Sequence, residues 1–410
     1  MAAQYDVIVF GATSFVGQIL CRYLIEQFGF NKGLKWAAAG RSQAKLEEVR
    51  TALGPKAKKL PLLVADAADP AALLALCQQT RVVVSTVGPY ALYGEPLVKV
   101  CAESGTDYCD LTGEVQWIRR MVERYESVAQ QSGARIVHCC GFDSIPSDMG
   151  VFFLQQQAMQ RWQQPCTLVK MRVKAIRGGP SGGTAASLIN VVKEASKDAA
   201  LRKELANPYS ICPPNHGFTT RQANVQAGQY DGDFGAWIAP FVMAAINTRV
   251  VHRSNALIGG AYGSHFRYDE ATIVGRGIKG MLGAQVMGAA MAGFMLASAL
   301  PPSRWALQRF VLPKVGEGPS PAAQAKGFFD LRFFGKTESG ETLRVKVKGD
   351  RDPGYGSTAK MLGQAAACLA LDFSKQDKAG GFWTPSTMFG EKLIERLTQF
   401  AGLQFEVIGK

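Results

Sequence analysis

Tyr5-Asp6-Val7-Ile8-Val9-Phe10-Gly11-Ala12-Thr13-Ser14-Phe15-Val16-Gly17 decides how this chain is read. A β-branched run ends on a glycine, and a helical stretch starts within a few residues. Gly11 permits a tight turn and Gly17 lets the helix pack closely on the strand. The N-terminus of that helix offers unpaired N–H groups and the positive end of its dipole to a pyrophosphate. The pattern is G-x-x-S-x-x-G, with Ser14 where G-x-G-x-x-G has its middle glycine. Alone it would also suit a structural glycine turn. At the first β-to-α turn of a regular alternation it points to a dinucleotide, with Gly11, Ala12, Thr13, Ser14, Phe15, Val16 and Gly17 as contacts.

That alternation continues to about residue 140. Strands are predicted at Asp6–Phe10, Lys35–Ala39, Pro61–Ala65, Arg81–Thr86, Asp107–Cys109 and Arg135–Cys139, with helices near 15–27, 42–52, 70–78, 94–104 and 114–131. Six strands joined by such crossovers predict an α/β fold, a doubly wound parallel sheet of the Rossmann type over residues 1–150. Beyond Gly150 the rhythm changes to longer mixed elements, predicting an α+β domain over 151–350. Residues 351–410 form a helical segment expected to pack back on the first domain. A length of 410 residues accommodates this division.

Candidate contacts extend from the strand ends. Where a NAD site presents Asp or Glu to the ribose, the second strand runs into Arg41-Ser42, a pair suited to a 2′-phosphate, so the cofactor is expected to be NADP(H). The other reading of Ser42 is a helix N-cap. Asp66 follows the third strand and can meet the adenine amino group or simply close a turn. Val87, Gly88 and Pro89 leave the fourth strand beside the cofactor. Tyr90 lines the nicotinamide pocket or is a packed aromatic.

Segment 280–303 carries no charged residue and is long enough to span a bilayer. Its Ala and Gly content argues for other uses: a buried or subunit-interface helix, or a helix resting on a membrane or an acyl chain, with Met287, Met291 and Met295 as a soft stripe. A true span would put the flanking strands on opposite sides of the bilayer.

The net charge of +13 favours an anionic partner, but the basic residues are scattered and form no nucleic-acid signature, so none is expected. Nine cysteines without a C-x-x-C pair indicate reduced thiols in the cytoplasm. No secretory signal precedes the first strand, so the expected location is cytoplasmic, with peripheral contact on the inner face of the plasma membrane as the extension of that reading. His138, His216, His252 and His265 lack metal-ligand spacing and are expected at the surface or satisfied in the core; no metal is expected.

The motifs taken together resemble the saccharopine dehydrogenase family, nearer its bacterial trans-acting enoyl reductases than its lysine-pathway enzymes. They are Gly11–Gly17, Ala39-Gly-Arg-Ser42, Val87-Gly-Pro-Tyr90, Tyr108-Cys-Asp-Leu-Thr-Gly-Glu114, Gly141-Phe-Asp-Ser-Ile-Pro-Ser-Asp148, Gly178-Gly-Pro-Ser-Gly-Gly-Thr184 and Asp352-Pro-Gly-Tyr-Gly356. The resemblance implies a Rossmann domain, a substrate and dimerisation domain in a homodimer, and hydride transfer to the C=C bond of a hydrophobic acyl thioester. The partner would be a polyketide or fatty-acid synthase or its carrier protein, in lipid metabolism. Tyr90 and Asp143 are the catalytic candidates near the cofactor, and Gly178–Thr184 could offer N–H donors to an anion. The alternatives are a saccharopine-type amino-acid reductase and a catalytically silent NADP-binding scaffold. Gly179-Pro-Ser-Gly-Gly183 satisfies G-x-S-x-G, but the proline before the serine and the glycines after it do not suit a nucleophile elbow.

Overall fold

The computed structural model describes residues 3–179, 182–312 and 318–409. They form two compact units. The first holds the chain up to Ile145, with Gly318 and Gly354–Gly402; the second begins at Pro146 and takes Pro319–Pro353 and the residues from Leu403 on. The C-terminal stretch is thus divided between the units, because its final strand, Leu403–Ile408, pairs antiparallel with Thr342–Gly349 in the second.

In the first unit β1 (Tyr5–Phe10), β2 (Trp36–Gly40), β3 (Leu62–Val64), β4 (Thr80–Ser85), β5 (Asp107–Asp110) and β6 (Arg135–Val137) are all parallel. Their spatial order is β6-β5-β4-β1-β2-β3, the doubly wound arrangement. A seventh strand, Gly381–Trp383, extends the sheet beyond β6 in parallel, one more than the sequence predicts. Helices α1 (Phe15–Phe28) and α2 (Gln43–Ala52) follow β1 and β2. The sheet centre reads as unbroken apolar runs because both faces are covered: Val7, Ile8, Val9, Val82, Val83 and Val84 are all fully buried. The helix Thr358–Leu371 buries nearly its whole length, and Gly363 lets it approach Tyr23 of α1.

The second unit carries a seven-stranded mixed sheet. In order it runs Leu403–Ile408, Thr342–Gly349, Phe328–Thr337, Cys166–Arg177, Arg267–Gly275, Ala236–Pro240 and Gln229–Asp231. Leu343, Val345 and Val347 are buried while Arg344, Lys346 and Lys348 lie outward, the period of two expected of a sheet with one wet face. Gly150 brings the helix Ile145–Trp162 onto the ring of Phe333. Arg172, itself buried, reaches Asp231 at 2.7 Å and Asp269 at 2.6 Å. Arg172→Ala would remove the cation from buried Asp269 and leave buried Asp231 with Lys170 alone, at 3.4 Å, and urea denaturation should register a loss of about 3–5 kcal/mol.

Of the readings left open for 280–303, burial within this chain does not hold. The helix Gly277–Ala299 buries only Gly280, Ala284, Gly288 and Ser298 within its chain. Those small residues let it sit against Gly275, Ala227 and Gly228, and Gln285 Nε2 donates to the Gly228 carbonyl at 2.9 Å. The helix is long and apolar enough to cross a bilayer, but its small-residue face packs on the sheet. All nine cysteines are unbridged.

Candidate cofactor and active site

In a doubly wound sheet, ligands settle at the carboxyl ends of the strands where the strand order reverses, here between β1 and β4. The turn after β1 is built for close approach. Gly11 has φ +91°, and a Cβ there would lie 2.7 Å from Val87 Cγ2 and 2.8 Å from Thr86 Oγ1. A Cβ on Gly17 would lie 2.1 Å from the Gly11 carbonyl oxygen. Gly11 and Ala12 both donate backbone N–H to the Ala39 carbonyl at 3.0 Å, tying the turn to β2.

Ser14 is the N-cap of α1 and accepts from the Gly17 N–H at 2.9 Å. Its Oγ also lies 3.0 Å from Thr86 Oγ1, and Thr86 donates to the Gly11 carbonyl at 2.9 Å. The middle-glycine position therefore fastens the turn to the end of β4. Thr86 is a site residue that the motif alone does not reveal. Its signal lies in being the first residue beyond β4. The N–H groups of Phe15 and Val16, in the first turn of α1, have no partner within a helix and can receive an anion. Phe15 packs edge-on against Tyr355 with centroids 4.8 Å apart, and a Cβ on Gly318 would strike the same ring. Neither neighbour could be foreseen from spacing, since both lie more than three hundred residues away.

Arg41 is exposed at the end of β2 and forms no ion pair among the described residues, which leaves its guanidinium available to a phosphate. Ser42 caps α2 by accepting from Lys45 N–H at 3.4 Å, the N-cap alternative. Asp66 is exposed and accepts from Ala68 N–H at 2.9 Å, so its carboxylate closes a turn.

Tyr90 requires a correction. It is 4% exposed, its hydroxyl donates to the Ser85 carbonyl at 2.9 Å and accepts from Leu111 N–H at 3.4 Å, and its ring packs on Trp117. Burial, with the charge of Asp110 added, holds its hydroxyl well above the usual range for tyrosine. Tyr90 is a strut joining the ends of β4 and β5, unsuited to give up a proton. Glu114, buried, holds the same turn by accepting from the N–H groups of Tyr90 at 2.8 Å and Ala91 at 3.0 Å, which fixes the Val87-Gly88-Pro89 turn from behind.

Beyond β6 the chain is fixed by Asp110. This buried carboxylate accepts from Tyr108 hydroxyl at 3.0 Å, Thr112 N–H at 3.1 Å and Cys139 N–H at 3.2 Å, and meets His138 Nδ1 at 2.7 Å. Cys139 is held at φ +63°, a conformation that costs a non-glycine residue about 1 kcal/mol or more and is often found where a chain is shaped for a ligand. His138 is a core residue satisfied at one nitrogen only among the described residues, since Nε2 has no partner. Phe142 N–H then donates to Thr358 Oγ1 at 3.0 Å.

Asp143 projects from this anchored turn. It is half-buried, has no hydrogen-bond or ion-pair partner among the described residues, and burial pushes its carboxyl from 3.8 up to about 7. Asp143 lies six residues beyond the end of β6, a strand three spacings, about 14 Å, from β1. The remainder of the motif serves the second unit: Asn247 Nδ2 donates to Ser147 Oγ at 3.1 Å and to Glu270 Oε2 at 2.9 Å, and Ser254 donates to Asp148 at 2.6 Å. Of Gly178–Thr184, Pro180 and Ser181 lie outside the described residues, and Gly178 packs against Asp352 and Pro353. Among the described residues no cluster of His, Cys, Asp and Glu could hold a metal ion.

Comparison with known proteins agrees with this geometry. The family model for the saccharopine dehydrogenase NADP binding domain matches residues 7–137, the span of β1 to β6. The chain is 39% identical, over 96% of its length and 95% of the relative's, to a Mycobacterium tuberculosis (strain ATCC 25618 / H37Rv) protein provisionally named a trans-acting enoyl reductase. It is 35% identical to the trans-acting enoyl reductase of Mycobacterium ulcerans (strain Agy99), covering 97% and 96% of the two chains. In fold it is similar to apo saccharopine dehydrogenase (L-Glu forming) from Saccharomyces cerevisiae, with TM-score 0.54, 12% identity and 99% and 100% coverage. The narrow turn at Gly11 and Gly17 and the guanidinium of Arg41, unpaired among the described residues, are consistent with the NADP(H)-binding domain, and the chain belongs to the saccharopine dehydrogenase family, among its trans-acting enoyl reductases.

Proposed function

We propose that the protein is an NADPH-dependent enoyl reductase that reduces the C=C bond of an acyl or polyketide thioester carried by a partner synthase in lipid biosynthesis. The full-length likeness to trans-acting enoyl reductases supports the reaction class. The observation that carries the chemistry is Asp143, a half-buried carboxyl without a partner among the described residues, pushed up to about 7 in the turn that follows β6.

Bound NADPH supplies the hydride, which goes to the β-carbon of the enoyl group. The electron pair of the double bond then moves to the α-carbon and thioester oxygen, and one proton completes the reduction. Asp143, protonated near neutrality, gives that proton to the α-carbon. Ser14, Thr86 and Glu114 keep the turns after β1 and β4 in place, and Asp110 does so beyond β6.

The direct test follows NADPH oxidation by absorbance with a trans-2-enoyl thioester as acceptor, against controls without acceptor and with NADH. Oxidation that depends on the acceptor is the expected result. Binding of NADPH without turnover on free or carrier-bound enoyl thioesters would favour a silent scaffold. Arg41→Glu provides a separate check on the cofactor. A charge-assisted hydrogen bond is worth about 1.5–3 kcal/mol, so Kd for NADPH should rise roughly 10- to 150-fold. NADH binding should change little, and equal loss of both would remove Arg41 from the 2′-phosphate site.

A further inference from the structure

Exposed apolar side chains concentrate on one stretch of the second unit. Along the helix Gly277–Ala299, Ile278 is 73% exposed and Val286 68%, with Leu282, Leu296 and Leu300 also exposed. At 3.6 residues per turn the four within the helix, Ile278, Leu282, Val286 and Leu296, fall within a sector of about 80°, and Leu300 follows as the extended residue at its end. The buried Gly280, Ala284 and Gly288 lie on the opposite side, against the sheet. The stripe continues into Trp305, Phe310 and Val311, all strongly exposed, with the Trp305 and Phe310 rings 5.7 Å apart. Scattered exposed apolar residues need no explanation, but a contiguous band of this length marks a surface that something covers.

Charge narrows the choice of what covers it. Residues 271–316 contain no Asp or Glu and five cations: Arg276, Lys279, Arg304, Arg309 and Lys314. Arg276, Lys279 and Arg309 form no ion pair among the described residues. A second copy of the chain would set cations against cations at both ends of the helix, whichever way the two helices ran. An anionic surface matches all of them together. An apolar face with cations at its borders and an exposed Trp is the composition of a helix that lies in a lipid interface.

We propose that the helix Gly277–Ala299 and the segment through Val311 lie flat on an anionic lipid bilayer, the apolar stripe among the acyl chains and the cations among the headgroups. This goes beyond the reductase reading and does not depend on it.

The test is flotation of the purified full-length protein with vesicles of phosphatidylglycerol and phosphatidylcholine in equal parts, and with phosphatidylcholine alone. Recovery with the anionic vesicles is expected to fall to background for Leu282→Glu/Val286→Glu. For Arg276→Gln/Lys279→Gln it should fall by roughly 25-fold, since a cation near such a surface is worth roughly fivefold in partition. Raising NaCl from about 0.1 to 1 M, which shortens the screening length from about 10 to 3 Å, should also weaken it. Unchanged NADPH affinity and urea midpoint show that each variant is folded. Three results would overturn the proposal. One is no flotation on either vesicle, and another is flotation that survives Leu282→Glu/Val286→Glu. The third is a dimer by light scattering that this variant dissociates while vesicles never capture the wild type, which would assign the face to a second copy.

Discussion

Asp143→Asn is expected to lower kcat on an enoyl thioester by roughly 10²–10⁴ while leaving NADPH affinity within a fewfold of the parent. The side chain keeps its size and loses only the transferable proton. In the parent, the carboxyl is half-buried without a compensating cation, which moves it from 3.8 to about 7. A proton donor works in its protonated form, so activity should be full below about pH 7 and fall tenfold per unit above it. The Asn variant should lack that decline. Stability carries the same signature with its own sign. A carboxyl whose folded value is raised favours the folded state at low pH, and that contribution is lost as pH rises from about 4 through about 7. Asp143→Asn should therefore gain on the parent in urea midpoint across that window. A parent whose kcat stays level from pH 6 to 9, or a variant with parental turnover, would remove Asp143 from the proton path.

Gly17→Ala should abolish measurable cofactor binding, with a rise in Kd of at least roughly a hundredfold by fluorescence titration. The new methyl carbon would stand 2.1 Å from the Gly11 carbonyl oxygen, 2.9 Å from Ser14 Oγ and 3.0 Å from Ala12 Cα. Two of these three are backbone neighbours, so the clash is relieved only by moving the start of α1 away from the turn that receives the pyrophosphate. Gly54→Ala is the matched control. Unlike Gly17, which lies within α1, that glycine is left-handed, at φ +82°, but it has nothing within 4 Å of the added carbon. It should cost about 1 kcal/mol of stability and leave NADPH binding intact. Equal loss in both variants would trace the Gly17 effect to general instability rather than to the cradle.

The first sheet is legible in the sequence because each of its signals is local. A valine-rich run, a glycine turn and an N-cap at Ser14 or Ser42 are enough to set β1, α1 and α2 within a residue or two. Gly381–Trp383 escapes because three residues carry no periodicity, and their pairing with β6 is a long-range fact. The helix Ile145–Trp162 escapes for a different reason. Gln155 points inward, where its side chain donates to the Cys166 carbonyl at 2.7 Å and accepts from Cys166 N–H at 2.8 Å. A polar residue spent on pairing backbone groups spoils the apolar stripe by which a helix is recognised. In the site, glycines and Arg41 announce themselves by type and place. Thr86 does not, because a threonine at a strand end has many uses. Tyr90 misleads in the opposite way: an aromatic at a strand terminus suits a pocket wall, and only its two hydrogen bonds show that it is a strut.

The hydroxyl pair of Ser14 and Thr86 bears on how fast the cofactor is captured. Thr86 spends its proton on the Gly11 carbonyl and Ser14 accepts from Gly17, which leaves the Ser14 proton directed at Thr86. Neither hydroxyl has a proton left for a phosphate, so recognition falls to backbone amides whose positions are fixed before any ligand arrives. A glycine at position 14 would leave that turn to be ordered during binding, at a cost in conformational entropy. Here the order is already present, so the turn is expected to add no ordering step to the entry of the dinucleotide.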